Sequence, residues 1–249
     1  MELNDRIKSF WEGEACVYSD SIQDELKGSQ KSAWLKLIED NAASVGAHEV
    51  LDAGCGPGFF PIILGELGYH VTGIDITENM ISCARENAEA YGVNASFATM
   101  DCQSLSFPDS SFDLIISRNI TWTLNDPRKA YAEWYRVLKP RGRVLVFDAC
   151  WYLHLFNEEL HEQYLRNDER VKQKYGRPTH NHVDQKEEDA LSKLLFMSDK
   201  KRPVWDMEQM LSLGFKKVFA EADITDRVWN DFTRDAYALS PQFLVGGEK

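Results

Sequence analysis

Apolar and polar positions along the chain change period several times, and the changes mark out the elements. Residues 1–45 carry apolar positions at helical spacing and predict two helices. Ser21 stands as a cap for the second, with Asp24 three residues on and Ala33, Trp34, Leu37 and Ile38 along one face. From His48 the texture alternates. Glu49 to Ala53 reads as a strand running into a glycine-rich turn at Gly54 to Gly58, and an apolar helix follows, ending near Gly65–Gly68. Tyr69 to Asp75 predicts a second strand. A helix runs from a Thr77 cap to Tyr91 and stops at Gly92. Ala95 to Met100, the short apolar run Phe112 to Ser117, and Arg143 to Asp148 predict strands three, four and five. A helix from Asp126-Pro127 to Leu138 precedes the last of these, with proline at its first position.

Strands alternating with helices in short units predict an α/β fold: a Rossmann-like, doubly wound, mostly parallel seven-stranded sheet with helices on both faces. The alternation lapses at 151–203, a polar, helical, aromatic-bearing stretch that reads as an insertion after strand five. It resumes with a helix at Trp205–Leu213, a strand after Gly214 and a last strand near Phe243-Leu244-Val245. The expected division is 1–45 as N-terminal helices over the cofactor site and 46–150 as the cofactor-binding core. Residues 151–203 are expected to form a mobile substrate cap with a bend at Gly176-Arg177-Pro178, and 204–249 to complete the sheet.

Composition narrows the partners. The chain has 249 residues, 40 acidic against 28 basic, for a net charge of −12. Such a surface repels phosphate backbones, which disfavours nucleic acid as the main partner. The densest basic cluster, Lys200-Lys201-Arg202, reads as a solvated turn. Five scattered cysteines without a C-x-x-C pair fit a reducing cytoplasm and no structural zinc. The charged N-terminus is not a signal peptide, and no stretch approaches a membrane span, so a cytoplasmic location is expected. Oligomeric state is not legible.

The chemistry concentrates in Val50-Leu51-Asp52-Ala53-Gly54-Cys55-Gly56-Pro57-Gly58. Glycines at a strand-to-helix turn let backbone approach a ligand closely. A dinucleotide site calls for G-x-G-x-x-G to seat a pyrophosphate on the helix N-terminus. Here the third glycine is Gly58 and Phe59 holds the position that pattern needs, so the spacing suits a ligand without phosphate. Asp75 ends the second strand 21 residues after Gly54, where a carboxylate can accept from both ribose hydroxyls.

On these residues the sequence resembles the class I S-adenosylmethionine-dependent methyltransferases, in the small-molecule branch similar to ubiquinone and menaquinone biosynthesis enzymes. The resemblance covers about residues 5–150. It implies S-adenosylmethionine as cofactor, S-adenosylhomocysteine as product, and a small-molecule acceptor whose identity and methylated atom stay open. Asp52 to Gly58 match the first motif, with Asp52, Gly54, Cys55, Gly56 and Gly58 at the cofactor, and Asp75 with Ile76 match the ribose site. Asp101-Cys102 and the segment Phe107 to Asp113 match the adenine-side motif. The resemblance implies that Asp101 meets the adenine amino group and the Cys102 backbone N–H meets the ring. Ser117-Arg118-Asn119 match the part that contacts the methionine moiety. Trp11 and Tyr18 match an N-terminal aromatic pair that closes over the cofactor, and Leu138 to Arg143 match an L-K-P-G-G turn in which Arg141 replaces a glycine.

The Asn- or Asp-Pro-Pro-aromatic box used for exocyclic amines of nucleic acids is absent after strand four, which favours a small metabolite. A protein or RNA acceptor recruited through the insertion, or a cofactor-binding regulator without turnover, remain the alternatives. The insertion holds His154, His161, His180 and His182. His154, just past strand five, is the first choice for a general base should the acceptor carry a proton. A metal site from His180, His182 and His154 is disfavoured, because no carboxylate stands at ligand spacing, and no metal is expected.

Overall fold

The computed structural model describes residues 3–42, 46–179 and 185–249, without the side chains of 185–188. Two N-terminal helices, α1 (Leu3–Lys27) and α2 (Gln30–Ala42), precede the sheet. The sheet proper follows as β1 (Glu49–Ala53), α3 (Phe59–Gly65), β2 (His70–Asp75), α4 (Glu78–Ala90), β3 (Ser96–Thr99), β4 (Phe112–Arg118), α5 (Pro127–Val137) and β5 (Leu138–Asp148). Next come α6 (Glu158–Tyr175) and α7 (Gln185–Ser192), then α8 (Val204–Leu213), β6 (Lys217–Glu221), α9 (Thr225–Val228), α10 (Asp231–Ala236) and β7 (Phe243–Glu248). Strand order is β3-β2-β1-β4-β5-β7-β6, parallel except for β7, which runs antiparallel to both neighbours. The expected Rossmann-like sheet of seven strands is therefore present.

Alternation along the strands explains why it is covered on both faces. Val50, Leu114, Ile116, Leu145, Phe147 and Leu244 point into a core shared with Trp34, Leu37 and Phe60 of α2 and α3. Their strand neighbours Leu51, Ile115, Val144, Val146, Phe243 and Val245 point the other way, onto Tyr131 and Trp134 of α5 and Met210 of α8. Two apolar faces make each strand a nearly continuous apolar run. The order reverses between β1 and β4, and the crevice of an open α/β sheet lies at that switch, outside the carboxyl ends of the strands.

Two local expectations are corrected. No break occurs at Ser21, whose hydroxyl donates to the Val17 carbonyl one turn back, an alternative that lets serine sit inside a helix. The helices part instead at Gly28-Ser29. The supposed solvated turn Lys200-Lys201-Arg202 ends in one of the most buried side chains of the protein. Arg202 donates through one terminal nitrogen to Asp148 Oδ2 (2.8 Å) and through Nε and the other terminal nitrogen to Asp206 (3.0 and 2.6 Å). Both carboxylates have no exposed side-chain surface. Asp148 also accepts from the Trp151 indole (2.8 Å) and the Trp122 amide (3.0 Å), and Asp206 from the Tyr131 hydroxyl (2.7 Å).

This network fixes both roots of the 151–203 segment, Trp151 at one and Arg202 at the other. The segment's long helix is tied elsewhere. From α6, Asn167 donates to the Asp235 and Ala236 carbonyls of α10, while Lys174 and Tyr175 donate to the Asp235 carboxylate, holding its pKa down at about 2. The stretch between β6 and β7 thus packs with the 151–203 segment, a pairing that the sequence reading did not foresee.

Removing the cation from the buried network leaves two uncompensated carboxylates. Arg202→Met is expected to cost on the order of 3–5 kcal/mol of stability, and to lower the melting temperature by roughly 10 °C. A thermal melt matching that of the unaltered protein would show that the network does not hold the fold.

Candidate active site

A cleft opens at the carboxyl ends of β1, β2 and β4, roofed by α1, and encloses about 910 Å³ of space, its mouth included. Asn4, Ile7, Trp11, Tyr18 and Ile22 project into it from one stripe of α1. Their spacing of three, four and seven residues is that of a single helical face. That spacing was the available signal for Asn4, Ile7 and Ile22, which sequence reasoning missed. The roof is pinned by the Trp11 indole, which donates to Thr123 Oγ1 (3.4 Å), and by the Glu12 carboxylate, which accepts from the Glu78 and Asn79 amides at the start of α4.

The glycine-rich turn forms the floor. Gly54 has φ +85°, and a Cβ on it would strike Ile120 at 2.2 Å, so only glycine keeps the cleft open there. The backbone N–H groups of the turn are engaged within the protein. Those of Gly54 and Cys55 donate to the Ile74 carbonyl (2.8 Å each), that of Gly56 to Asp75 Oδ2 (3.1 Å), and that of Gly58 to the Cys55 carbonyl (3.0 Å). An anion cradle needs amides aimed outward, and this turn has none to offer. Gly58 is not on the wall. It precedes α3 with φ +94°, and a Cβ would lie 3.3 Å from Ala84, so it serves the approach of α3 to α4.

Three carboxylates line the cleft: Asp52, Asp75 and Asp101. Asp75 Oδ1 accepts from the Thr77 amide (3.0 Å) and hydroxyl (2.9 Å), which explains why Thr77, in the cap position of α4, makes no side-chain cap. Burial raises the Asp75 pKa, opposed by those bonds and that from Gly56. Asp101 accepts from the Gln103 amide (2.8 Å), and Gln103 in turn accepts from the Asp126 amide. Asp52 is nearly buried and has no hydrogen-bond donor among the described residues. Burial pushes its pKa up to about 8, with Arg118 pulling it down and Asp75 adding to the rise.

Arg118 is the one cationic side chain on the wall among the described residues, and it is already paired. It donates to Glu25 (2.7 Å) and lies over the rings of Phe59 (4.5 Å), Trp34 and Phe60. Cys55, Ile76 and Cys102 also line the cleft, the thiols of both cysteines driven up in pKa by burial.

Ser117 and His154 stand elsewhere. The Ser117 hydroxyl is fully buried and donates to the Ala53 carbonyl (3.0 Å), bracing β4 against β1. His154 stacks on Tyr164 of α6 at 4.1 Å and 5°, behind Tyr152 and Trp122, and burial lowers its pKa. Of the disfavoured metal group, His180 and His182 lie outside the described residues. No group of three His, Cys, Asp or Glu suited to a metal occurs among the described residues.

Comparison with known proteins agrees with this geometry. Residues 51–146 match the family model described as a methyltransferase domain. Over 104 residues the chain is 39% identical to phosphoethanolamine N-methyltransferase 1 of Arabidopsis thaliana, 41% of this chain but 21% of that protein. It is 34% identical over 117 residues to the demethylmenaquinone methyltransferase of Thermus thermophilus, covering 46% of this chain and 53% of the other. The chain thus spans about a fifth of the plant relative's length and about half of the bacterial one's.

Among solved structures, an S-adenosylmethionine-dependent methyltransferase from Methanosarcina mazei matches 85% of this chain and 96% of its own, at TM-score 0.57 and 24% identity. Phosphoethanolamine N-methyltransferase 2 of Haemonchus contortus, bound to phosphomonomethylethanolamine and S-adenosylhomocysteine, matches 81% of this chain and 48% of its own, at TM-score 0.56 and 18% identity. Residues 51–146 thus resemble a methyltransferase domain, and these solved structures share the fold of this chain. No described helix is long and apolar enough to cross a membrane.

The raised Asp52 pKa has a consequence for stability. The unfolded carboxyl ionises near pH 3.9 and the folded one near 8, so rising pH favours unfolding across that interval. Asp52→Asn should therefore be more stable than the unaltered protein. The gain should be absent below about pH 4, grow to about pH 8 and level off above it. Melting temperatures measured from pH 4 to 9 decide this, and a pH-independent difference would contradict it.

Proposed function

We propose that this protein transfers a methyl group from S-adenosylmethionine to a small-molecule acceptor. The observation that carries the reading is the charge pattern of the cleft: three carboxylates, one guanidinium already paired with Glu25, and a turn whose amides face inward. A ligand with phosphates meets no unpaired cation and no outward-facing turn amide here. A ligand bearing a sulfonium, an ammonium and ribose hydroxyls meets complementary groups.

On this reading Asp75 accepts from the ribose hydroxyls and Asp52 faces the ammonium. Asp101 and Cys102 hold the adenine side, and Trp11 and Tyr18 cover the ligand. When bound, S-adenosylmethionine supplies an electrophilic methyl group on a good leaving group, and the protein's task is to align the acceptor and exclude water. The roof stripe on α1 and the Trp11–Thr123 contact suit that task. The acidity of the wall, with Arg118 its one cationic side chain among the described residues, supports a small molecule over a nucleic acid.

Calorimetry should find S-adenosylhomocysteine bound in the micromolar range and NAD not bound. Asp75→Ala should weaken binding about tenfold or more, as expected for loss of one charge-assisted hydrogen bond. Tight NAD binding, or full affinity in that variant, would sink the reading. Release of S-adenosylhomocysteine above background in a metabolite extract separates an enzyme from a regulator that merely binds the cofactor.

The placement of His154 changes its proposed part. It belongs to the ring stack Tyr152–His154–Tyr164, where the cap meets the aromatic border of the cleft through Trp122 and Trp11. We assign it to supporting that border rather than to proton transfer. His154→Asn should keep the pH profile of turnover. A fall of about 10²-fold with an altered profile would restore it as the general base.

A further inference from the structure

The roof and the floor of the cleft approach each other at Tyr18 of α1 and Gly56 of the glycine-rich turn. A Cβ on Gly56 would meet the Tyr18 ring at 3.4 Å, ordinary van der Waals contact, so no more than a methyl group fits between them. Both residues line the cleft. The residue after each of them, Ser19 and Pro57, is bonded to one and the same side chain, that of Asn87 in α4.

Asn87 spreads its carboxamide over the roof and the floor together. Nδ2 donates to the Pro57 carbonyl (3.0 Å) and to Ser19 Oγ (3.2 Å), and Oδ1 accepts from Gln23 Nε2 (3.1 Å). Chemistry fixes the direction. A carbonyl can only accept, so the amino group faces Pro57, and the oxygen is left for Gln23. Ser19 and Gln23 stand four apart on one face of α1, beside the stripe of Tyr18 and Ile22 that looks into the cleft.

Asn87 is 5% exposed and does not itself line the cleft. Asparagine is a weak helix former, and the side-chain bonds of this one all leave its own helix. A buried carboxamide bonded on every side holds its partners at a set distance, because each bond left unmade costs the desolvation of its group.

We propose that Asn87 is a positioning residue that sets the height of the roof over the floor at Tyr18 and Gly56, and so retains the bound cofactor. This rests on the methyltransferase reading above. The bond to Pro57 holds the floor, those to Ser19 and Gln23 hold the roof, and a ligand under α1 leaves only when the two part.

The test follows association and dissociation of S-adenosylhomocysteine by surface plasmon resonance. Asn87→Asp keeps the shape but presents acceptors only, so the Pro57 carbonyl is repelled and the hold on the floor is lost. Ser19→Ala removes one bond to the roof, and serves should Asn87→Asp not fold. Dissociation should quicken about tenfold in the first and about threefold in the second, as expected for one or two lost hydrogen bonds, with association within twofold. In a Tyr18→Ala background, where the roof no longer reaches Gly56, either substitution should change dissociation less than about twofold. The full effect persisting in that background would show a merely structural role and overturn the proposal. So would unchanged dissociation in both variants, or a loss of affinity through slower association. Failure of the unaltered protein to bind S-adenosylhomocysteine would remove the methyltransferase reading, and the proposal with it.

Discussion

The pairing of Arg202 with Asp148 and Asp206 is the contact on which the arrangement around the cleft depends. Two carboxylates and one guanidinium without exposed side-chain surface persist only because they satisfy one another and because neighbouring donors complete their hydrogen bonds. Asp148 is the last residue of β5, so the network sits where the sheet ends and the cover begins. Through Asp148 it holds the backbone after β4, at Trp122, and the first residue of the 151–203 segment, Trp151. Through Asp206 it holds α5 by way of Tyr131 and the start of α8. Trp122 then carries the constraint to Asn119 and to the rings of Trp11 and Tyr152.

Both ends of the 151–203 segment are thus held by fully buried groups, and the contacts of α1 differ in kind. α1 meets the rest of the protein over the cleft through contacts of moderate strength: the long Trp11–Thr123 hydrogen bond, ring edges, and the Glu12 carboxylate on the exposed amides of Glu78 and Asn79. Contacts of this kind open at modest cost, and elements that gate sites are drawn from the less stable parts of a fold. The contrast is physical: the ion pairs at the roots of 151–203 are fully buried, while the polar contacts that hold α1 over the cleft are part-exposed or exposed.

Legibility of these features followed their range in the sequence. The sheet was readable because both faces of each central strand are buried, which writes apolar runs such as Leu114-Ile115-Ile116 directly into the chain. The turn was readable because steric demands at Gly54 admit a single residue type. Asp75 was readable by its distance from that turn. What failed was whatever depends on partners far apart in sequence. Arg202 looked like part of a solvated cluster because its two carboxylates stand 54 residues before it and 4 after it, and nothing local distinguishes Asp148 from any other strand-ending acid. Ser117 matched a cofactor-contacting motif, yet strand alternation turns it inward to the Ala53 carbonyl while Arg118 faces the cleft. His154 was placed by its distance from β5, which fixes the backbone's whereabouts but not the stacking on Tyr164.

The same reasoning explains why the floor of the cleft was legible and its surroundings were not. The floor of the cleft is made from strand termini, and strands in a doubly wound sheet have one register and one order, so residues at their ends meet predictably. The rest of the wall comes from a roof stripe on α1 and the loop after β4, while the 151–203 segment and the β6–β7 stretch find each other through Asp235. Apart from the helical spacing of the α1 stripe, these have no periodic or steric signature, because helices on a surface can be moved without disturbing the sheet. Asp52 marks the boundary between the two regimes. It is fixed by its strand, buried by the fold, and left without a hydrogen-bond donor among the described residues, at a cost in stability that grows as the carboxyl ionises.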